Sequence, residues 1–129
     1  MKPFLTYSWQ NDGGYPSDQR FLQQAEEVIL RRLDDTTLNT RTLERACATS
    51  RTQLYRRLKR LTGLSTNLFI RHIRLRAALE LMCDPTESIT SIAYQVGFSD
   101  VTYFSRVFRQ VYGMSPTKWR QEGYGNYDA

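Results

Sequence analysis

Residues 54 to 65, LYRRLKRLTGLS, align without a gap on residues 104 to 115, FSRVFRQVYGMS. Leu54 matches Phe104, Arg56 matches Arg106, Leu58 matches Phe108, Lys59 matches Arg109, Leu61 matches Val111 and Gly63 matches Gly113, all at an offset of 50 residues. Upstream, Leu43, Cys47, Ala48 and Ser50 match Ile92, Val96, Gly97 and Ser99 at an offset of 49. Such a repeat constrains the fold strongly, because the shape one copy takes the other must take too. The change of offset puts one extra residue at the start of the second helix of the second copy.

Each copy spells a short helix, a tight turn and a capped second helix, which is helix-turn-helix geometry. In the first copy a helix of about residues 42–47 buries Leu43, Ala46 and Cys47. Ser50 with Gln53 three residues on has the pattern of a capping box. The following helix runs through Leu54, Leu58 and Leu61 to Gly63, a suitable residue beyond a helix end. In the second copy the small Ala93 lets two helices cross closely, and Gly97 can take the positive φ that a turn needs. Ser99 is the expected cap, and Phe104, Val107, Phe108 and Val111 line one face up to Gly113. The opposite faces are polar and basic. They carry Arg51, Thr52, Tyr55, Arg56 and Lys59 in the first copy, and Asp100, Thr102, Tyr103, Arg106 and Arg109 in the second. A helix with such a face can lie in a DNA major groove, where arginine binds phosphate or guanine, hydroxyls bind either partner and apolar groups meet the thymine methyl.

The rest of the chain is helical in pattern. Ser17 can cap a first helix with Phe21, Ala25, Val28, Ile29 and Leu33 at helical spacing, and residues 34–39 are a break. Ser65 can cap a longer helix of about residues 66–83, ended by Asp84-Pro85. Ser88 opens the next helix. Ser115-Pro116 is a cap followed by proline at the first helical position of a last short helix, which carries Trp119 and ends near Gly123. The expectation is all-α, about seven helices, with two helix-turn-helix subdomains at about 42–63 and 88–113 joined by a long linker helix at about 66–83. Residues 1–16 read as an arm or linker, 17–123 as the domain and 124–129 as a tail. Tyr94, Phe98, Tyr112 and Trp119 are expected in the core of the second copy.

Charge is unevenly spread. The formal net charge is +5 and the pI about 9.5. Between Arg41 and Arg76 lie ten arginines or lysines and one acid, Glu44. Arg51, Arg57, Lys59 and Arg60 suit phosphate contacts or a general positive field. A glycine-rich phosphate loop, paired carboxylates near a base and a nucleophile with a histidine partner are all missing, so no enzyme, catalytic residue or cofactor is expected. His72 alone cannot make a metal site. Cys47 and Cys83 are expected as two buried thiols. No run of 18 apolar residues is present, and the first ten residues do not read as a signal peptide, so the expected location is cytoplasmic, with no membrane contact. An RNA-binding or a protein-interaction helical module remains an alternative on charge and helix content alone.

Ile92-Ala93, Val96-Gly97-Phe98, Tyr103-Phe104-Ser105-Arg106, Phe108, Gly113, Ser115-Pro116 and Arg120 together resemble the C-terminal DNA-binding domain of AraC/XylS-type transcription regulators. The resemblance covers about residues 21–120. Leu54-Tyr55-Arg56-Arg57-Leu58-Lys59 with Leu61-Thr62-Gly63 is similar to the version found at the end of response regulators and hybrid two-component sensors. The resemblance implies that the third and sixth helices are the readers, with base-reading positions at Thr52, Tyr55 and Arg56 and at Val101, Thr102 and Arg106. With the exposed faces above, the candidate DNA-binding set is Arg51, Thr52, Tyr55, Arg56, Lys59, Ser99, Val101, Thr102, Tyr103 and Arg106. Double-stranded DNA is the implied partner, RNA polymerase a second one, and activation the implied outcome for the output part of a larger regulator. Two positions depart from the family's pattern: Glu44 replaces a small residue, and Ala48 stands where the turn glycine would be. An 18-residue linker helix is about 27 Å long, against about 34 Å between successive major grooves on one face of DNA. The expectation is a monomer on one asymmetric site of about 20 base pairs.

Overall fold

The structure, a computed structural model, describes residues 16–122. The expectations for the arm before Pro16 and for Gly123 and the tail lie outside the described residues. Seven helices follow in order: α1 (Pro16–Arg31), α2 (Thr40–Ala46), α3 (Arg51–Thr62), α4 (Thr66–Leu81), α5 (Ile89–Gln95), α6 (Val101–Tyr112) and α7 (Pro116–Gln121). Among the described residues there is no strand, so the all-α expectation holds. These residues form two compact units. The first comprises 16–32 and 37–73 and holds α1, α2, α3 and the start of α4. The second comprises 33–36 and 74–122 and holds the rest of α4 with α5, α6 and α7.

In the first unit α1 buries Phe21, Leu22, Ala25, Val28 and Ile29 along one stripe. Pro16 already opens this helix, so Ser17 sits inside the first turn and does not cap it. α2 begins two residues before the apolar pattern indicates, because Asn39 caps it. The Asn39 Oδ1 accepts from the amides of Arg41 (3.0 Å) and Thr42 (3.3 Å), and Thr42 Oγ1 accepts from the Asn39 amide. This reciprocal pair satisfies amides that the helix itself cannot. Leu43, Leu54 and Leu58 are fully buried, whereas Ala46 and Cys47 are only half-buried. Both cysteines are free and half-buried, short of the full burial expected.

The second unit has an aromatic core. Phe98, Phe104, Phe108, Tyr112 and Trp119 are buried with Ile92, Ala93, Val96, Val107, with Leu75, Ala77, Ala78 and Leu79 of α4, and with Met82 just beyond it. Phe104 meets Phe98 edge-on at 5.1 Å, and Phe108 meets Tyr112 at 4.7 Å and Trp119 at 6.3 Å in the same manner, the arrangement that ring quadrupoles favour. Tyr94 is the exception to the expected aromatic set: it is 50% exposed on α5. His72 on α4 is buried.

The repeat extends to individual hydrogen bonds. α2 and α5 each have seven residues, α3 and α6 each have twelve. After α2, the Ala48 amide donates to the Arg45 carbonyl and the Thr49 amide to that of Glu44. After α5, the Gly97 amide donates to the Tyr94 carbonyl and the Phe98 amide to that of Ala93. Both turns are therefore the two-bond helix ending that requires one left-handed residue. That residue is Gly97 at φ +94° in one copy and Ala48 at φ +51° in the other. The departure at Ala48 does not reset the turn. Alanine adopts the glycine conformation, at a cost of about 1 kcal/mol or more. The two positions differ in their surroundings. A Cβ added at Gly97 would collide with the Leu33 carbonyl oxygen and come within 2.7 Å of the Arg74 guanidinium, whereas Ala48 is exposed.

Replacing Ala48→Gly is expected to stabilise the chain by about 0.5 kcal/mol, the relief of left-handed strain less the extra freedom of glycine in the unfolded chain. Gly97→Ala is expected to destabilise it by about 2 kcal/mol or more, since strain and a backbone collision add. Urea unfolding of both variants checks this. Equal effects of one sign would contradict the turn assignment.

Candidate nucleic-acid interface

α3 is seated by Leu54 and Leu58 and started by Ser50, whose Oγ accepts from the Gln53 amide at 3.2 Å. Burial of those two leucines leaves the other side of the helix outward. Arg51, Thr52, Tyr55, Arg56 and Lys59 are all exposed. Thr52, Tyr55, Arg56 and Lys59 fall three, four and seven residues apart, so they share one stripe. Arg51 and Arg56 make no ion pair with a described residue. Lys59 donates to the Gly63 carbonyl at 3.0 Å, at the end of the helix.

α6 repeats this seating with larger side chains: Phe104, Val107, Phe108 and Tyr112 are buried. Thr102, Tyr103, Arg106 and Arg109 are exposed. The Arg106 guanidinium lies 5.3 Å from the Tyr103 ring centroid, a cation–π pair on the outer face. Val101 is only half-buried and packs against the core. Ser99 is exposed but does not cap the helix. Asp100 does, with its Oδ1 accepting from the Thr102 amide at 2.8 Å. The extra residue of the second copy therefore lies in the turn and not at the start of the helix. Asp100 occupies the place of Ser50, Val101 that of Arg51 and Ser105 that of Tyr55, while Thr52 and Arg56 face Thr102 and Arg106. The exposed faces of α3 and α6 thus share a threonine–arginine pair four residues apart and differ around it.

Not every arginine of the basic segment faces outward. Arg57 donates through Nε (3.2 Å) and Nη2 (3.1 Å) to Asp18 Oδ1, and its guanidinium lies 4.3 Å above the Phe21 ring. Arg60 reaches the same carboxylate at 3.3 Å. These two residues hold α3 to α1 within the first unit and are not part of a free phosphate-binding field. Asp18 is 7% exposed. The Arg60 hydrogen bond first, and the Arg57 bond and both positive charges with it, outweigh burial and hold the Asp18 carboxyl below the usual carboxylate range. Sequence reasoning missed Asp18 because its partners lie 39 and 42 residues away. An acid in the first turn of a helix is ordinary by itself. In the second unit Arg120 does comparable work. It donates to the carbonyls of Met82 (3.3 Å), Glu87 (2.7 Å) and Asp84 (3.4 Å), tying α7 to the turn after α4.

With both exposed faces described, comparison with known proteins gives the class. The family described as "Helix-turn-helix domain" matches residues 43–122, and the chain belongs to it. Its type is the AraC DNA-binding domain of transcription regulators, which act by binding DNA. The chain is 40% identical over 74 residues to the HTH-type transcriptional regulator MtrA of Neisseria gonorrhoeae, a match covering 57% of this chain and 25% of that protein. The crystal structure of an AraC-type regulator from Chromobacterium violaceum superposes with a TM-score of 0.74 at 25% identity, over 84% of this chain and 96% of that one. The C-terminal domain of AraT, a response regulator from Geobacillus stearothermophilus, superposes with a TM-score of 0.70 at 26% identity, over 79% and 84% of the two chains. The chain spans about a quarter of the length of MtrA. Among the described residues no helix is long and apolar enough to cross a membrane.

The Asp18 clamp has a pH signature. Its folded value lies below its unfolded value of about 4, so its contribution is present above that value and is lost as pH falls through the lower folded one. Asp18→Asn is expected to melt below wild type at pH 7, with the gap closing below about pH 4. Thermal melts across pH 2–7 check it. A gap that stayed constant into acid would mean that the carboxylate's charge is not what holds α3.

Proposed function

We propose that residues 17–123 bind one asymmetric duplex DNA site as a monomer and act as the output part of a signal-responsive activator. The observation that carries this reading is the duplicated, outward threonine–arginine stripe on α3 and α6, whose arginines make no ion pair with a described residue. In the first unit Thr52, Tyr55 and Arg56 read base edges while Arg51 and Lys59 hold phosphates. In the second, Thr102 and Arg106 read bases, Tyr103 supports Arg106, and Ser99 and Val101 line the approach to the helix. Arg56 and Arg106 can each take guanine in two hydrogen bonds. Because the residues around them differ, the two half-sites are expected to differ in sequence. The resemblance to the response-regulator domain of AraT supports an output role, with RNA polymerase as the partner that uses the docked domain and the cytoplasm as its location. Nothing in either reader face points to catalysis.

Affinity is expected to fall steeply with salt. Neutralising about six phosphates gives a log–log slope near −5. Arg56→Ala and Arg106→Ala are each expected to relax base preference in a different half of a site selected from a random duplex pool, at a cost of about 1–3 kcal/mol. A loss equal on all sequences would assign that arginine to phosphate. A flat salt response, or single-stranded RNA competing as well as duplex DNA, would favour the alternative of an RNA-binding or protein-interaction module.

A further inference from the structure

In the first unit α2 carries charge that the fold does not use. An open depression of about 560 Å³ is lined by Arg41 and Arg45 of α2 and by Arg32 just beyond α1. Val28 and Ala46 give it an apolar patch, and no acidic residue lines it. Glu44, the one acid of α2, is half-buried and is not among the lining residues. Arg41 and Arg45 are exposed and make no ion pair with a described residue. They stand four residues apart on one helix, where like charges repel. Arg41 also lies in the first turn, where a cation opposes the helix dipole. Its amide is already taken by Asn39, so the positive charge of the depression comes from guanidinium groups alone. Both placements oppose folding, and only an anion in the depression would reward them.

The place of the depression constrains its occupant. None of the outward residues of α3 lines it, so the stripe that the DNA reading uses does not fill it. The repeat separates the two roles. The threonine–arginine pair recurs in both copies, at Thr52 and Arg56 and at Thr102 and Arg106. At the offset of 49 residues Arg41 and Arg45 face Thr90 and Tyr94, neither of them charged. What both copies share suits a common partner, and what one copy adds suits another. A depression of this size exceeds a single phosphate or carboxylate and lies in the range of sites that take several groups at once. Guanidinium groups bind carboxylates in paired hydrogen bonds. The apolar patch suits an aliphatic side chain between them, and a phosphate strand offers none. We propose that this depression docks an acidic, amphipathic segment of a partner protein while α3 and α6 hold DNA. The proposal deepens the partner reading above, on which it rests for the partner's role; the site itself does not depend on it.

Fluorescence anisotropy of a labelled glutamate–leucine peptide against the full chain tests the assignment, with and without a selected duplex bound. The duplex is titrated separately across a salt series. The peptide is expected to bind in both cases and to weaken as salt rises. Arg41→Glu and Arg45→Ala are each expected to weaken the peptide about tenfold. Arg41→Glu puts an acid in the first turn of α2, four residues before Arg45. It is therefore expected to melt at or above the wild-type temperature, which separates its loss of peptide from unfolding. Both variants are expected to bind the duplex within about twofold of wild type at physiological salt, where charges beyond a Debye length are screened. Lys118→Ala on α7 is expected to leave the peptide unchanged. A loss there equal to that of Arg45→Ala would assign the peptide to the general positive field and overturn the proposal. Wild-type peptide affinity in both α2 variants, or no peptide binding by the wild type, would overturn it too. So would a weaker duplex with a salt slope reduced by about one in Arg45→Ala, which would give the depression to a DNA phosphate. Each of these outcomes leaves the reading of α3 and α6 standing. A wild-type chain that bound the peptide but no duplex would overturn that reading alone.

Discussion

The second helix of each copy, α3 or α6, is aimed by a turn of two hydrogen bonds that closes only around a left-handed residue. The same pair of amides returns to the same pair of carbonyls in both copies, from Ala48 and Thr49 in one and from Gly97 and Phe98 in the other. This fixes where the chain leaves the short helix before any side chain of the second helix is placed. The outward stripe follows from it: once the entry direction is set, burying Leu54 and Leu58, or Phe104 and Phe108, turns the threonine–arginine pair outward. The turn therefore tolerates a strained alanine more readily than a different geometry. At Gly97 the packed Leu33 carbonyl and Arg74 exclude any Cβ. At the exposed Ala48 only the backbone conformation opposes one.

The two units seat α3 and α6 by different physics. α6 rests on ring packing, with Phe108 between Tyr112 and Trp119. Such support is insensitive to salt and to pH near neutrality. α3 has only aliphatic seats of its own and adds the Asp18 carboxylate, gripped by Arg57 and Arg60. That support weakens in acid, and because Arg60 is mostly exposed its part is screened by salt. The segment richest in positive charge thus uses part of that charge to hold the helix in place.

The duplication made most of the fold legible. Helix order, both turns and the seating leucines and phenylalanines follow from periodicity and from glycine and serine positions, and all of these are local signals. What stayed hidden was nonlocal or ambiguous between neighbours. Ser99 and Asp100 are both good caps, and alignment with Ser50 favours the wrong one, which puts the extra residue at the start of the helix and not in the turn before it. Asn39 was absorbed into a polar break, although Thr42 three residues later completes its reciprocal cap. Tyr94 has the spacing of a core residue, yet α5 buries only Ile92 and Ala93, because a seven-residue helix has room for one narrow contact. Asp18 gave no sequence signal, since its role depends on what lies beside it in three dimensions.

The arginine count illustrates why charge density alone overstates an interface. Of the ten basic residues between Arg41 and Arg76, Arg57 and Arg60 are bound to Asp18, Arg74 donates to the Asp35 carbonyl at 2.6 Å, and Lys59 leans on the Gly63 carbonyl. A guanidinium already held by a carboxylate must give up that partner before it can neutralise a phosphate, so its gain on binding is a difference between two attractions. Among the described residues Arg51 and Arg56 have no such partner to lose, and they stand on the same helix as the clamped pair. The division follows the helix geometry: residues 51, 52, 55, 56 and 59 turn outward, while 57 and 60 turn toward α1. A single basic helix therefore carries its charge on two faces, one that fixes its own position and one that is turned outward.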